Sequence, residues 1–274
     1  MKKNSKYSRK KRMMRYARVA VVILVLILSN IVTHEWTSRS ANKAFDAEQK
    51  RIKNANVINA KNVSDDMAYS SFKLNKEKLK DIKDVMIIAH PDDETLWAGS
   101  LIEKKKYLII CLTNGDNPIR KKEFEQAMEI TGNYGVMLKY PDNPNHVKNN
   151  WDKVKDEIRN DIRYVVSYKN WETITTHNPE GEYGHIQHRF TSMMVTNICV
   201  EKKLTSKLQY FGKYYTAKYL NSTYVEPCLT GTEIDEKEYI MSICYPSQIK
   251  AHQTFDHMMP YEKMIKYKNW YFGN

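Results

Sequence analysis

Apolar residues along the chain fall into short unbroken runs that alternate with segments of helical period. The run Val85-Met86-Ile87-Ile88-Ala89 has no polar position. It predicts a strand buried on both faces, the usual sign of a parallel sheet. His90-Pro91-Asp92-Asp93-Glu94 follows, and residues 95–103 continue as a helix. Residues 107–113 predict a second strand, ending in Asn114-Gly115-Asp116-Asn117-Pro118. A helix at 120–131 carries Phe124, Ala127 and Met128 on one side, and Gly132-Asn133-Tyr134-Gly135 stops it. Residues 136–140 predict a third strand. Residues 151–168 have Val154, Ile158, Ile162 and Val165 at helical spacing, 173–176 a fourth strand, and 189–204 a further helix. This β-α-β-α-β-α-β order predicts an α/β domain, a mostly parallel sheet with helices on both faces. No element is assigned after Leu204.

The amino-terminal part reads differently. Residues 1–18 hold nine Lys or Arg and no acid; the chain carries +12, so these nine leave only +3 for everything that follows. The high pI therefore belongs to a tail, and no nucleic-acid-binding domain is expected. Residues 19–33 are uncharged and apolar, a little short of a standard membrane span. Snorkelling by Arg18 and an interfacial Trp36 extend it. The segmentation expected is a basic cytoplasmic tail at 1–18, a transmembrane signal anchor at 19–36, a stalk at 37–82 and a catalytic domain at 83–274. Within the stalk, 44–60 and 75–82 are candidate helices. A cleaved signal peptide is the alternative, since its apolar core has this length. In either case the bulk of the chain crosses the membrane.

Candidate chemistry gathers at two places. The macrodipole favours acids in a first helical turn and Pro suits its first position, which accounts for part of the 90–94 cluster. It does not account for His90. One imidazole and three carboxylates in five residues repel one another unless a cation or a proton-transfer task offsets the cost. The fourth strand runs into His177-Asn178-Pro179-Glu180-Gly181-Glu182-Tyr183-Gly184-His185-Ile186-Gln187-His188. Parallel strands open onto one rim, so this stretch faces the first. His185 and His188, three apart at a helix start, share a face, and the pair shifts the reading toward a metal site.

Together these stretches resemble the LmbE-like (PIG-L) de-N-acetylase family. The resemblance rests on Ala89-His90-Pro91-Asp92-Asp93-Glu94, on Gly184-His185-Ile186-Gln187-His188, on Arg120, Glu123 and Ala127, and on Tyr245-Pro246-Ser247-Gln248. It covers roughly residues 84–250. Gln187 departs from the acid common at its position, which bears on the tuning of His185. The resemblance implies a Rossmann-like three-layer sandwich holding Zn2+, with Fe2+ as an alternative, on His90, Asp93 and His188. It implies Asp92 as general base, with His185 and then Tyr183 as oxyanion donors, Glu94 as a support of the ligands, and Arg120 and Asp142 at sugar hydroxyls. The late Tyr245 motif is structural or peripheral. Trp97, Trp151, Trp171 and Trp270 are core or a stacking platform, and Cys228 and Cys244 are candidates for a disulfide outside the cell.

The function expected is hydrolysis of the acetamide of an N-acetylglucosamine-type sugar, on a cell-surface glycan or a lipid-linked saccharide, by a single-pass membrane protein with its catalytic domain outside. A cytoplasm-facing deacetylase of a small glycoconjugate, or an inactive glycan-binding member, are the alternatives. Nucleotide or dinucleotide binding by this sheet is excluded, because the loop after the first strand is acidic where phosphate would sit.

Overall fold

The computed structural model describes residues 71–142 and 151–273. The expected basic tail, anchor, helix at 44–60 and most of the stalk lie outside the described residues. Among the described residues no helix is long and apolar enough to cross a membrane.

Six strands, β1 (Asp84–Ile88), β2 (Tyr107–Thr113), β3 (Tyr134–Tyr140), β4 (Thr173–Thr176), β5 (Leu208–Phe211) and β6 (Met264–Lys266), form one sheet in the order β3-β2-β1-β4-β5-β6. The first five are parallel, and β6 runs antiparallel to β5. Helices α1 (Asp93–Lys104), α2 (Pro118–Thr131), α3 (Lys155–Ser167) and α4 (Ile186–Glu201) connect the successive parallel strands. After β5 come α5 (Ala217–Ser222), α6 (Gly231–Cys244), α7 (Ile249–Phe255) and, past β6, α8 (Tyr267–Phe272).

The strand pleat sorts the core into two layers. Val85 and Ile87 of β1 and Leu108, Ile110 and Leu112 of β2 point to the side covered by Ile158, Ile162 and Val165 of α3 and Val195 and Ile198 of α4. Met86, Ile88, Ile109 and Cys111 point the other way, onto α1, α2 and α6 through Ile102, Phe124, Ala127, Ile240 and Met241. Every residue of β1 and β2 is buried, as unbroken apolar runs require of a sheet covered on both faces. The observed architecture is the expected α/β sandwich.

The differences from expectation have local causes. Residues 75–82 form turns, not a helix, closed by bonds such as Leu79 N to Lys76 O. β3 begins two residues early, because Gly135 is a strand residue: a Cβ there would come within 2.4 Å of Phe124. Trp151 precedes α3 at φ 57°, and its indole donates to Pro141 O at 2.7 Å. α1 is kinked at Ala98, and the freed Ser100 and Leu101 amides donate to Glu262 at 3.1 and 2.9 Å. All four cysteines are free thiols, Cys228 exposed and Cys244 buried, so the candidate disulfide does not form. Trp97, Trp151 and Trp171 are buried in the core.

Strand order reverses direction between β1 and β4: from β1 the chain proceeds to β2 on one side, from β4 to β5 on the other. Ligands of open α/β sheets bind in the crevice at such a switch point, past the carboxyl ends of the strands. With Ile87 paired to Thr176, the loops after β1 and β4 emerge side by side.

Candidate active site

The loop after β1 is drawn tight by its own backbone and by its neighbours. Ala89 O accepts from Thr113 N at 3.2 Å and Thr113 Oγ1 at 2.8 Å. His90 N donates to Asp93 Oδ2 at 2.8 Å. Asp92 sits at φ 107°, a region that a non-glycine residue enters at a cost of about 1–3 kcal/mol. Its side chain does not cap α1; it turns instead toward Arg120, whose Nη2 lies 3.2 Å away. Arg120 also donates to Pro91 O and, at 2.8 Å, to Glu123. Asn117 in turn caps α2, accepting from the Ile119 and Arg120 amides.

The loop after β4 supplies the opposing wall. His90 and His188 face each other with Nδ1 and Nε2 only 3.1 Å apart. Asp93 Oδ2 is 3.3 Å from His90 Nδ1, and Oδ1 is 3.3 Å from His188 Nε2. A tetrahedral zinc with ligands at about 2.0–2.1 Å has ligand–ligand edges of roughly 3.3–3.4 Å, so these spacings fit it closely. The tautomers point the same way. His188 Nδ1–H donates to Glu182 at 2.6 Å, and His90 Nε2–H donates to Gln187 Oε1 at 2.6 Å. The Gln187 amide is oriented by donating to Pro141 O and Asp142 O at 3.1 and 3.0 Å, which leaves its oxygen for His90. Two imidazole nitrogens and the two oxygens of Asp93 therefore converge on one region. Burial would lower the His90 pKa, but Asp142 and Asp93 raise it well above its ordinary value, and a divalent metal would take that proton's place among these donors.

His185 and His177 also lie close enough to complete trios with these donors. His177 Nε2 is 2.9 Å from the Ala89 amide, which it accepts when neutral, so it is the poorer candidate ligand. His185 precedes α4 with its ring centre 4.8 Å from that of His90 and 4.6 Å from that of His188.

Electrostatics separate the carboxylates. Burial pushes Asp92 up to about 7; Arg120 opposes this, while Asp93 and Glu94 add to it. Asp93 is held well below the usual range: burial alone would raise it, but the charges of His188 and His177 and the hydrogen bonds around it outweigh that. Glu94 is raised by burial and accepts hydrogen bonds from Tyr245 Oη and, at 2.9 Å, Thr95 Oγ1. Burial depresses His188 to about 4, so its imidazole is neutral at pH 7.

A cleft of about 370 Å³ opens over these groups. Asp92, Asp93, His90 and His185 line its base, Asn114, Asn117, Asp142 and Gln248 its polar side, and Trp97, Tyr183 and Phe255 its aromatic side. The Tyr183 ring lies 4.6 Å from Phe255 and 5.6 Å from His188. Burial and the nearby Asp93 and Asp92 charges raise its hydroxyl, which stays protonated and able to donate.

The nine residues singled out in the sequence thus gather at one rim, but two have other neighbours than expected. Arg120 lines the cleft but is mostly buried, and its guanidinium is engaged by Asp92, Glu123 and Pro91 O, so it also braces the loop after β1. Asp142 lies 3.3 Å from His90 Nε2 and accepts from Asn114 at 3.2 Å. Gln187 orients His90. Sequence reasoning also passed over Glu182 and His177, although a carboxylate between two glycines in a three-histidine loop is a visible signal. The late motif is a brace: Tyr245 holds Glu94, and Ser247 donates to Glu123 through N and Oγ at 2.7 and 2.8 Å.

Comparison with known proteins agrees with the motifs. Residues 85–199 match the family model described as PIG-L, GlcNAc-PI de-N-acetylase. An uncharacterized protein, L374, of Acanthamoeba polyphaga mimivirus is 31% identical over 131 residues. That match covers 42% of this chain and 56% of the viral protein, so the chain spans little more than half of that relative's length.

Proposed function

We propose that the protein is a metal-dependent de-N-acetylase that hydrolyses the acetamide of an N-acetylglucosamine-type sugar. The observation that carries this reading is the convergence of His90 Nδ1, His188 Nε2 and Asp93 at mutual distances of 3.1–3.3 Å, beside a carboxylate that is not among them. Those three residues would hold a zinc or similar divalent ion, which supplies Lewis acidity toward water and an amide carbonyl when bound.

Asp92 is the general base. It borders the cleft, adjoins Asp93 in sequence, and its pKa of about 7 matches a group that takes a proton from water and returns it to a leaving amine near neutral pH. His185 and Tyr183 stand over the same floor and donate to the oxyanion of the tetrahedral adduct. Asp142 and Asn114 offer an acceptor and a donor to sugar hydroxyls, while Trp97, Tyr183 and Phe255 pack against the sugar ring.

The basic residues ahead of the apolar run favour an anchored chain with this domain outside the cytoplasm, acting on a surface glycan or lipid-linked saccharide. Protease accessibility of the domain in intact cells tests that topology. The activity is tested with the full-length protein, loaded with zinc and assayed for acetate release from N-acetylglucosamine oligosaccharides and lipid-linked N-acetylglucosamine. Release that stops on chelation is expected. Stoichiometric zinc with no release from either substrate class contradicts the sugar-amide reading.

A further inference from the structure

Glu182 is fully buried, takes no part in the reaction proposed above, and has no lysine or arginine among its hydrogen-bond and ion-pair partners. We infer that Glu182 is a positioning residue whose single oxygen Oε2 orients both His188 and His177, and thereby sets how tightly the site binds its metal. The inference rests on the metal-dependent reading of the site.

The geometry is specific. Oε2 lies 2.6 Å from His188 Nδ1 and 2.9 Å from His177 Nδ1, while Oε1 accepts from the Asn178 amide at 2.9 Å. Three N–H donors thus converge on two carboxylate oxygens. The amide of a glutamine has one oxygen and one NH2, so it cannot accept from both ends, and one of the donors would face another donor. His188 is one of the converging metal-site groups. His177 is stacked on it at 3.9 Å and approaches Asp93 Oδ2 at 3.3 Å. One carboxylate oxygen therefore bears on His188 directly and on the His177 ring stacked against it.

The backbone is shaped for this contact. Glu182 lies at φ 53°, uncommon for a residue other than glycine. Gly181 before it lies at φ 72°, and a Cβ there would come within 2.7 Å of His185 O. Asn178 ties the turn by accepting from the Glu180 and Glu182 amides and donating to Gly212 O. A glutamate needed only to close this turn would not require two imidazoles on its far oxygen. Carboxylates that hold a ligating imidazole by its distal N–H fix its tautomer and orientation, and their loss typically weakens metal binding by about ten- to hundredfold.

The test uses the full-length protein, stripped of metal and titrated with Zn2+ against a fluorescent chelator, as wild type and as Glu182→Gln. Near-ultraviolet circular dichroism checks the fold of each. The expected result is a ten- to hundredfold loss of zinc affinity with the fold retained. Nitrogen-15 histidine spectra of the metal-free wild type give an independent readout, in which His188 carries its proton on Nδ1. Should Glu182→Gln fail to fold, that tautomer decides. Zinc affinity within threefold of wild type in a folded Glu182→Gln, or a proton on Nε2 of His188 in the wild type, overturns the inference alone. A wild type that binds no zinc overturns the metal reading beneath it.

Discussion

The loops after β1 and β4 each bury a carboxylate on a residue with positive φ, and their surroundings assign those carboxylates opposite tasks. Asp92 in the first loop has an ion-pair partner in Arg120, with His90 a weaker counterweight, and two carboxylate neighbours, so burial prevails and its pKa rises to about 7. Glu182 in the second has two imidazoles and a backbone amide. Burial still opposes its charge, but His177 and His188 overcome that and hold it at about 2. The first group is poised to exchange a proton, while the second keeps its charge and holds its neighbours in place. Chemically similar side chains at one rim are separated by what surrounds them, which is how acid and base tasks are generally divided between carboxylates.

The comparison can be broken most severely at the group between the two loops. Asp93→Asn removes the charged donor that both loops orient; zinc affinity should fall by more than about a hundredfold, beyond what loss of an outer partner costs, and acetate release should fall to background. Chelator competition read beside turnover checks this. Arg120→Gln comes next. It leaves Asp92 and Glu123 buried without their cation, so stability measured by urea unfolding should drop by about 3–5 kcal/mol. Arg120 lowers the Asp92 pKa, so its loss should also move the acid limb of kcat/KM to higher pH. Tyr245→Phe takes a donor from the buried Glu94 and should cost about 1–3 kcal/mol, with little change in the pH profile.

A last expected effect is one of pH. The folded-state pKa of Asp92 is raised, so its protonated form stabilises the fold at low pH, and that contribution disappears as pH climbs through about 7. Metal-free Asp92→Asn should therefore gain stability over metal-free wild type between about pH 4 and pH 7, and hold that gain above pH 7. A melting-temperature difference that is flat across this range would show that Asp92 is not shifted.

Much of this was legible in the chain because it rests on local pattern. β2 and β4 have the bounds expected from the chain, and β1 is shifted by one residue. The two histidine-bearing loops were recognisable from residue type and from their place after parallel strands. β5, β6 and α6 were not, since short strands and a helix buried along one stripe depend on the neighbours they meet. Gly135 read as a turn because the sequence cannot show that Phe124 packs on it. The partners of Arg120 and Gln187 were hidden for the same reason. Which side chain orients which is decided by contacts between loops distant in the chain, as between His90 and Gln187, 97 positions apart. The resemblance placed Arg120 at the substrate; it does line the cleft, and its contacts with Asp92, Glu123 and Pro91 O were not visible in the chain.

The most direct test of the division of labour is the zinc content and turnover of Asp92→Asn. If Asp92 moves the proton and does not hold the metal, the variant retains stoichiometric zinc while turnover falls by about 10²–10⁴-fold. A variant that turns over like the wild type, or that loses its zinc, contradicts the account.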